Sequence, residues 1–211
     1  MRFKCIIFDC DGVLVDSEAT SIGVLMDIAQ EAGYKMEMPF ALNQFSGQSL
    51  QYCFDYIQKN ALKPLPQDII NNYRRRTYQA FKTDLKAIPN IDQLLQRLTL
   101  PRCVASNAPI EKIKLNLGLL NLSHFFEGNL FSAYDIQKWK PAPDLFLHAA
   151  KTMGFEPQEC AVIEDSLAGV QAAKAGGFEV FGYASSRTAS TLAAAGATVF
   201  YDMNLLDELL A

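Results

Sequence analysis

Histidine, tryptophan and any excess of positive charge are scarce in this chain of 211 residues. The two histidines, His124 and His148, lie far apart and lack metal-ligand spacing, so packing is the stronger reading for both. The five cysteines, at positions 5, 10, 53, 103 and 160, form no CxxC pair and no zinc pattern. Their odd number and scatter fit a reducing compartment, and a cytoplasmic protein is expected. No apolar run approaches about 20 residues, which excludes a membrane span. Met1 leads almost at once into a strand-like run, so no signal peptide is expected. A formal charge of −4 and a pI near 5.2 argue against a nucleic-acid or anionic-membrane surface. Internal repeats, low-complexity segments and long linkers are also missing. What remains is a half-apolar chain, long enough to bury a full core as one domain with an insertion or as two lobes. A monomer is the default expectation.

The most informative residues present are Asp9 and Asp11. They follow the run Cys5 to Phe8, which is apolar without alternation and so reads as a buried strand of a parallel sheet. Gly12 then lets the backbone turn. Asp9 and Asp11 fall on the same side of an extended chain, at the carboxyl end of a central strand, where open α/β sheets bind ligands. Two crowded acids with no arginine close in sequence need a cation to stay ionised together, and hard oxygen ligands at a phosphate-handling site suggest Mg²⁺. Cys10, between them, has no histidine partner in sequence and reads as a spacer.

Further strand-like runs are expected at 102–105, 129–132, 161–163, 179–183 and 197–200. Helical patterns at 91–98, 110–117, 144–153, 168–175 and 188–195 separate them. The alternation predicts an α/β fold, a doubly wound, Rossmann-like parallel sheet whose strand carboxyl ends share one edge. Residues 16–86 break the rhythm and read as helices at 18–32, 50–60 and 67–81, with a short one at 42–45. The expected organisation is a catalytic core of 1–15 and 87–211, with a small α-helical cap, 16–86, inserted above the catalytic edge as a lid.

Three more segments carry chemistry. The run Cys103-Val-Ala-Ser-Asn-Ala108 ends a strand in Ser106 and Asn107, offering a hydroxyl and backbone N–H groups to a phosphate oxygen. Lys140, followed by Pro141, is held on a stiff extended segment where its ammonium can neutralise a carboxylate and an incoming phosphate. Lys138 is expected to face solvent, and Trp139 to pack the segment against the sheet or to wall the substrate cleft. The run Ala161-Val-Ile-Glu-Asp-Ser166 ends a strand in Glu164 and Asp165, which together with the first pair would complete an oxygen cage for Mg²⁺.

Four motifs in this order, DxDG, S-N, K-P and E-D-S, make the chain resemble the haloacid dehalogenase superfamily of phosphohydrolases over nearly its whole length. The segment 130–141 is similar to bacterial phosphatases acting on 6-phosphogluconate and other sugar phosphates, with the β-phosphoglucomutases as mutase cousins. The resemblance implies that Asp9 is the nucleophile, forming an aspartyl-phosphate. It implies that Asp11 is general acid to the leaving alkoxide and then general base to water. Ser106 and Lys140 would hold the transferring group with Asn107 assisting. Mg²⁺ would be held by Asp9, the Asp11 carbonyl and Asp165, with Glu164 direct or through water. The departures are small: Val13 stands where many relatives carry threonine, and Asn90 where the return linker often has glycine.

A mutase of this kind needs a basic residue soon after its cap loop to hold a second phosphate. Here the loop is Phe45-Ser-Gly-Gln-Ser-Leu50, with Gln48 as its substrate-facing candidate and no lysine or arginine before Lys59. Hydrolysis of a small phosphorylated metabolite is the favoured reading, with a phosphosugar mutase as the alternative and a non-catalytic binding protein behind it. Arg74, Arg75 and Arg76 fan around a helix at about 100° per residue, so one or two could face a substrate carboxylate or a second phosphate.

Overall fold

Eight strands and eleven helices account for most of residues 2–46 and 48–210, which the computed structural model describes. Met1, Ala211 and Gly47 of the loop 45–50 lie outside the described residues. In chain order the elements begin with β1 (Cys5–Phe8) and β2 (Val15–Asp16). Four helices follow: α1 (Glu18–Glu31), α2 (Met38–Phe45), α3 (Leu50–Asn60) and α4 (Ile69–Asp84). Next come β3 (Lys86–Ala87), α5 (Ile91–Arg97), β4 (Arg102–Ser106), α6 (Ile110–Leu119), β5 (Leu130–Ser132), α7 (Ala133–Ile136) and α8 (Asp144–Met153). The chain closes with β6 (Cys160–Glu164), α9 (Leu167–Ala175), β7 (Glu179–Tyr183), α10 (Ala189–Ala194), β8 (Thr198–Phe200) and α11 (Leu206–Leu209). Two compact units result, Met1–Asp16 with Lys86–Ala211, and Ser17–Leu85.

In the first unit six parallel strands form a sheet in the order β5-β4-β1-β6-β7-β8. β1 is central, with Phe8 in register with Val104 on one side and Ile163 on the other. Its four residues are wholly buried, which is why the run lacks alternation. One face of the sheet, carrying Cys5, Ile7, Cys103, Ala105 and Val162, packs on apolar residues of α8 and α9 such as Phe146, Ala149 and Val170. On β1 the side chains alternate, and Phe8 meets Phe126 edge-to-face. Each such buried apolar side chain contributes about 1.5–3 kcal/mol. A separate two-stranded ribbon, β2 with β3, was absent from the sequence expectation because two-residue strands carry no period.

The second unit is a helical bundle with its own core of Ile22, Leu25, Ile28, Phe45, Phe54, Ile57 and Tyr73. α2 begins at Met38, four residues ahead of the expected 42–45, because Pro39 suits a first helical turn. Ser49 caps α3 through a hydrogen bond from the Tyr52 N–H. Arg76 of α4 reaches α1, with Glu31 Oε2 at 2.8 Å and Asp27 Oδ2 at 3.7 Å.

Candidate active site

The three middle strands, β4, β1 and β6, end side by side, and each delivers polar groups to the same edge. Asp9 follows β1, and its N–H donates to the Ile163 carbonyl at 2.9 Å, so pairing continues one residue past the strand. Ser106 closes β4 and Glu164 closes β6. Lys140 arrives from the loop after α7, and its buried Nζ donates to Asp9 Oδ1 at 2.6 Å, Glu164 Oε1 at 2.7 Å and the Ala105 carbonyl at 2.9 Å. It also lies 4.5 Å from the centre of the Phe146 ring. A buried ammonium with three acceptors and an aromatic face is held in one position.

Asn107 braces that lysine from behind. Its Oδ1 accepts from the Lys140 N–H at 2.9 Å and its Nδ2 donates to the Lys140 carbonyl at 3.4 Å. The side chain of Asn107 therefore holds the backbone of Lys140. Buried Ser106 turns its Oγ toward the Ala108 N–H, 3.1 Å away, which sets the hydroxyl at the start of the turn into α6.

Glu164 is engaged through both of its oxygens. Oε1 accepts from Lys140, while Oε2 accepts from the N–H of Asp165, the N–H of Ser166 and the Ser166 hydroxyl at 2.8–2.9 Å. A carboxylate so engaged is tied to the lysine and to the α9 N-terminus. Gly169 makes room for it, since a Cβ there would stand 1.8 Å from Glu164 Oε1. Asp165 lies against the first motif, because a Cβ on Gly12, whose φ is +89°, would stand 2.0 Å from Asp165 Oδ2.

Sequence reasoning missed Lys112, whose Nζ donates to Asp11 Oδ2 at 2.8 Å. The available signal was its place in the first turn of α6, where the helix dipole disfavours a cation unless an anion stands opposite.

Four carboxylates thus meet two ammoniums. Burial pushes the Asp9 carboxyl up to about 7 against the pull of Lys140, with Glu164 and Asp11 adding repulsion. Burial, then Glu164 and Asp9, likewise push Asp165 well above the usual range. Burial works against the charge on Lys140, but Asp9 and Glu164 override it and hold the ammonium above its ordinary value. Burial and the two flanking acids push the Cys10 thiol well up, which makes it a poor nucleophile and fits a spacer.

Among the described residues no three His, Cys, Asp or Glu side chains stand ready as a metal cage. Within this cluster Lys140 engages one oxygen each of Asp9 and Glu164, and Lys112 engages Oδ2 of Asp11 and not its carbonyl. Mg²⁺ characteristically uses one or two carboxylates and completes its shell with water and substrate phosphate, so the carboxylates gathered here suit it. The excess of two negative charges, if all four acids are ionised, points the same way.

Other expectations are met unevenly. Lys138 is exposed as expected. Trp139 is not packed on the sheet but 43% exposed, edge-to-face with Tyr134, because the chain alternates and Lys140 takes the inward position. Gln48 lies exposed in the helical unit, its N–H bonded to the Phe45 carbonyl. Arg74 and Arg75 are exposed, whereas Arg76 is engaged by α1. His148 packs against Phe131, and His124 against Phe125. No helix of the described residues is long and apolar enough to cross a membrane.

Fold and site together define a hydrolase of the haloacid dehalogenase kind. A family profile described as haloacid dehalogenase-like hydrolase matches residues 3–177. The 6-phosphogluconate phosphatase of Escherichia coli is 34% identical over 209 residues, covering 99% of this chain and 95% of the relative. A conserved haloacid dehalogenase-like protein from Agrobacterium tumefaciens superposes with a TM-score of 0.88 at 33% identity, covering 99% of this chain and 97% of the other. A family hydrolase from Deinococcus radiodurans, solved with bound phosphate and sodium, gives a TM-score of 0.87 at 27% identity, with 100% and 96% covered. The chain therefore belongs to the haloacid dehalogenase-like hydrolases. Within that family it is an enzyme, a phosphatase.

Proposed function

We propose that the protein is a Mg²⁺-dependent phosphatase that hydrolyses a small phosphorylated metabolite, a sugar phosphate or 6-phosphogluconate-like ester, through an aspartyl-phosphate on Asp9. The observation that carries this reading is the buried contact of Lys140 with both Asp9 and Glu164 beside Ser106, at the shared ends of three central strands. The Asp9 carboxylate attacks phosphorus as the ester P–O bond breaks, and Asp11 gives its proton to the departing alkoxide. Water then attacks the same phosphorus, its proton passes to Asp11, and inorganic phosphate leaves with Asp9 restored. Lys140, the Ser106 hydroxyl and the N–H groups at the start of α6 bind the equatorial oxygens, where the charge of an in-line transfer gathers. Asp9, Asp165 and the Asp11 carbonyl would hold Mg²⁺, which supplies the positive charge that keeps the carboxylates ionised and offsets the phosphoryl charge.

The helical unit Ser17–Leu85 is assigned the part of a substrate-selecting cap, with Gln48 among its selecting side chains. Hydrolysis rather than phosphoryl return to sugar is supported by the loop 45–50, which carries no basic residue, and by Arg76, which is engaged by Asp27 and Glu31. The similarity to a 6-phosphogluconate phosphatase supports a phosphorylated sugar acid or sugar as substrate. The protein is taken to act as a cytoplasmic monomer, without nucleic-acid or membrane partners. A screen of phosphomonoesters with Mg²⁺, including 6-phosphogluconate and glucose 1-phosphate with product analysis, tests the proposal. Release of free phosphate is expected. Glucose 6-phosphate formed without phosphate release would overturn hydrolysis in favour of a mutase, and turnover of no ester would overturn both.

A further inference from the structure

We infer that Lys112 is the positioning residue for Asp11, fixing the carboxylate that serves the leaving group. The inference rests on the reading of Asp11 as the acid that protonates the departing alkoxide. Asp11 follows β1 in the turn that Gly12 opens, and about 30% of its side chain is exposed. Lys112 reaches it from another element. Its Nζ donates to Asp11 Oδ2 at 2.8 Å, and with that oxygen pinned the plane and the direction of the second oxygen are set as well. Lys112 is itself largely buried, at 22% side-chain exposure, and stands in the first turn of α6. That turn opens four residues after Ser106, whose hydroxyl contacts the same helix entry through the Ala108 N–H. One short segment therefore ties the phosphate-facing hydroxyl to the carboxylate facing the leaving group.

A cation in a first helical turn opposes the helix dipole. Here Asp11 stands opposite and reverses the sign of that interaction. Lys140 already meets the nucleophile side of the site through Asp9, so the two lysines divide the two catalytic acids between them. A positioning role makes a specific kinetic demand. Protonation matters little when the departing oxyanion is stable and much when it is a basic alkoxide.

The test measures kcat/KM for p-nitrophenyl phosphate, phenyl phosphate and 6-phosphogluconate in wild type, Lys112→Met, Lys112→Arg and Asp11→Asn. For Lys112→Met the loss on phenyl phosphate and 6-phosphogluconate should exceed the loss on p-nitrophenyl phosphate by about ten- to a hundredfold. Lys112→Arg should recover most of the difference. Equal loss on all three esters, or no loss on any, overturns the inference. Should Lys112→Met not fold, Lys112→Gln takes its place: a loss on phenyl phosphate and 6-phosphogluconate larger than that on p-nitrophenyl phosphate supports the inference, and equal loss or no loss overturns it. Asp11→Asn separates the two levels. If it leaves leaving-group dependence unchanged, the reading of Asp11 as acid fails; if it steepens the dependence and Lys112→Met does not, only the part given to Lys112 fails.

Discussion

Glu164 Oε1 accepts a hydrogen bond from Lys140 Nζ at 2.7 Å, so the most buried acid at the sheet edge serves the lysine. Glu164→Gln keeps the shape and removes the charge. Hydrogen bonds to charged groups contribute about 1.5–3 kcal/mol, and a stability loss of that order is expected in chemical denaturation. Activity should fall further than metal affinity, because Lys140 loses a restraint while Asp9 and Asp165 remain. A Mg²⁺ affinity that collapses while Lys140 function persists would return Glu164 to the metal.

Gly169 is outside the reacting groups, yet Gly169→Ala should impair them. The added Cβ would stand 1.8 Å from Glu164 Oε1, on a carboxylate pinned by four hydrogen bonds. Overpacking of this kind costs about 1–3 kcal/mol, to be read as a lowered denaturation midpoint together with a lowered kcat. Unchanged stability and rate would mean that Glu164 moves freely.

Asn107→Ala removes both side-chain contacts to the Lys140 backbone. The lysine keeps its charge but loses its brace, and misplacement of that order lowers kcat/KM by about ten- to a hundredfold. Steady-state kinetics beside a melting curve separate this from unfolding. A loss confined to KM would indicate direct substrate contact by the Asn107 side chain.

Metal and pH are linked through Asp9. Its carboxyl stands at about 7 in the folded metal-free protein, against 3.8 as the ordinary value, because of burial first and then repulsion by Glu164 and Asp11. Between those values the folded state binds more protons than the unfolded one, so metal-free stability falls as pH rises from about 4 to about 7. Mg²⁺ replaces the protons, and its stabilising effect should therefore grow over the same interval. Melting temperatures with Mg²⁺ and with EDTA across that range check the sign. Equal stabilisation at both ends would contradict it.

Much of this was legible because the decisive residues sit at strand ends. An apolar run followed by Asp9-Cys-Asp-Gly12, and another followed by Glu164-Asp165, put polar groups where a parallel sheet must end. The sheet follows the expected alternation, and α8 and β7 have their expected bounds. The illegible part concerns which partner each charge chooses. Whether Glu164 turns to a metal or to Lys140 depends on side-chain directions, and on Gly169 giving it room. Lys112 and Asp11 are far apart in sequence, and no local pattern joins them. Trp139 shows the same limit: its neighbour Lys140 took the inward position.

The most direct measurement is the turnover number of Asp9→Asn on the ester that wild type hydrolyses best, taken on a preparation whose melting curve is recorded. Removing the nucleophile should lower kcat by about a thousandfold or more while the protein still melts cooperatively. An Asp9→Asn enzyme that turns over at close to the wild-type rate would contradict the aspartyl-phosphate route and the assignment of the site with it.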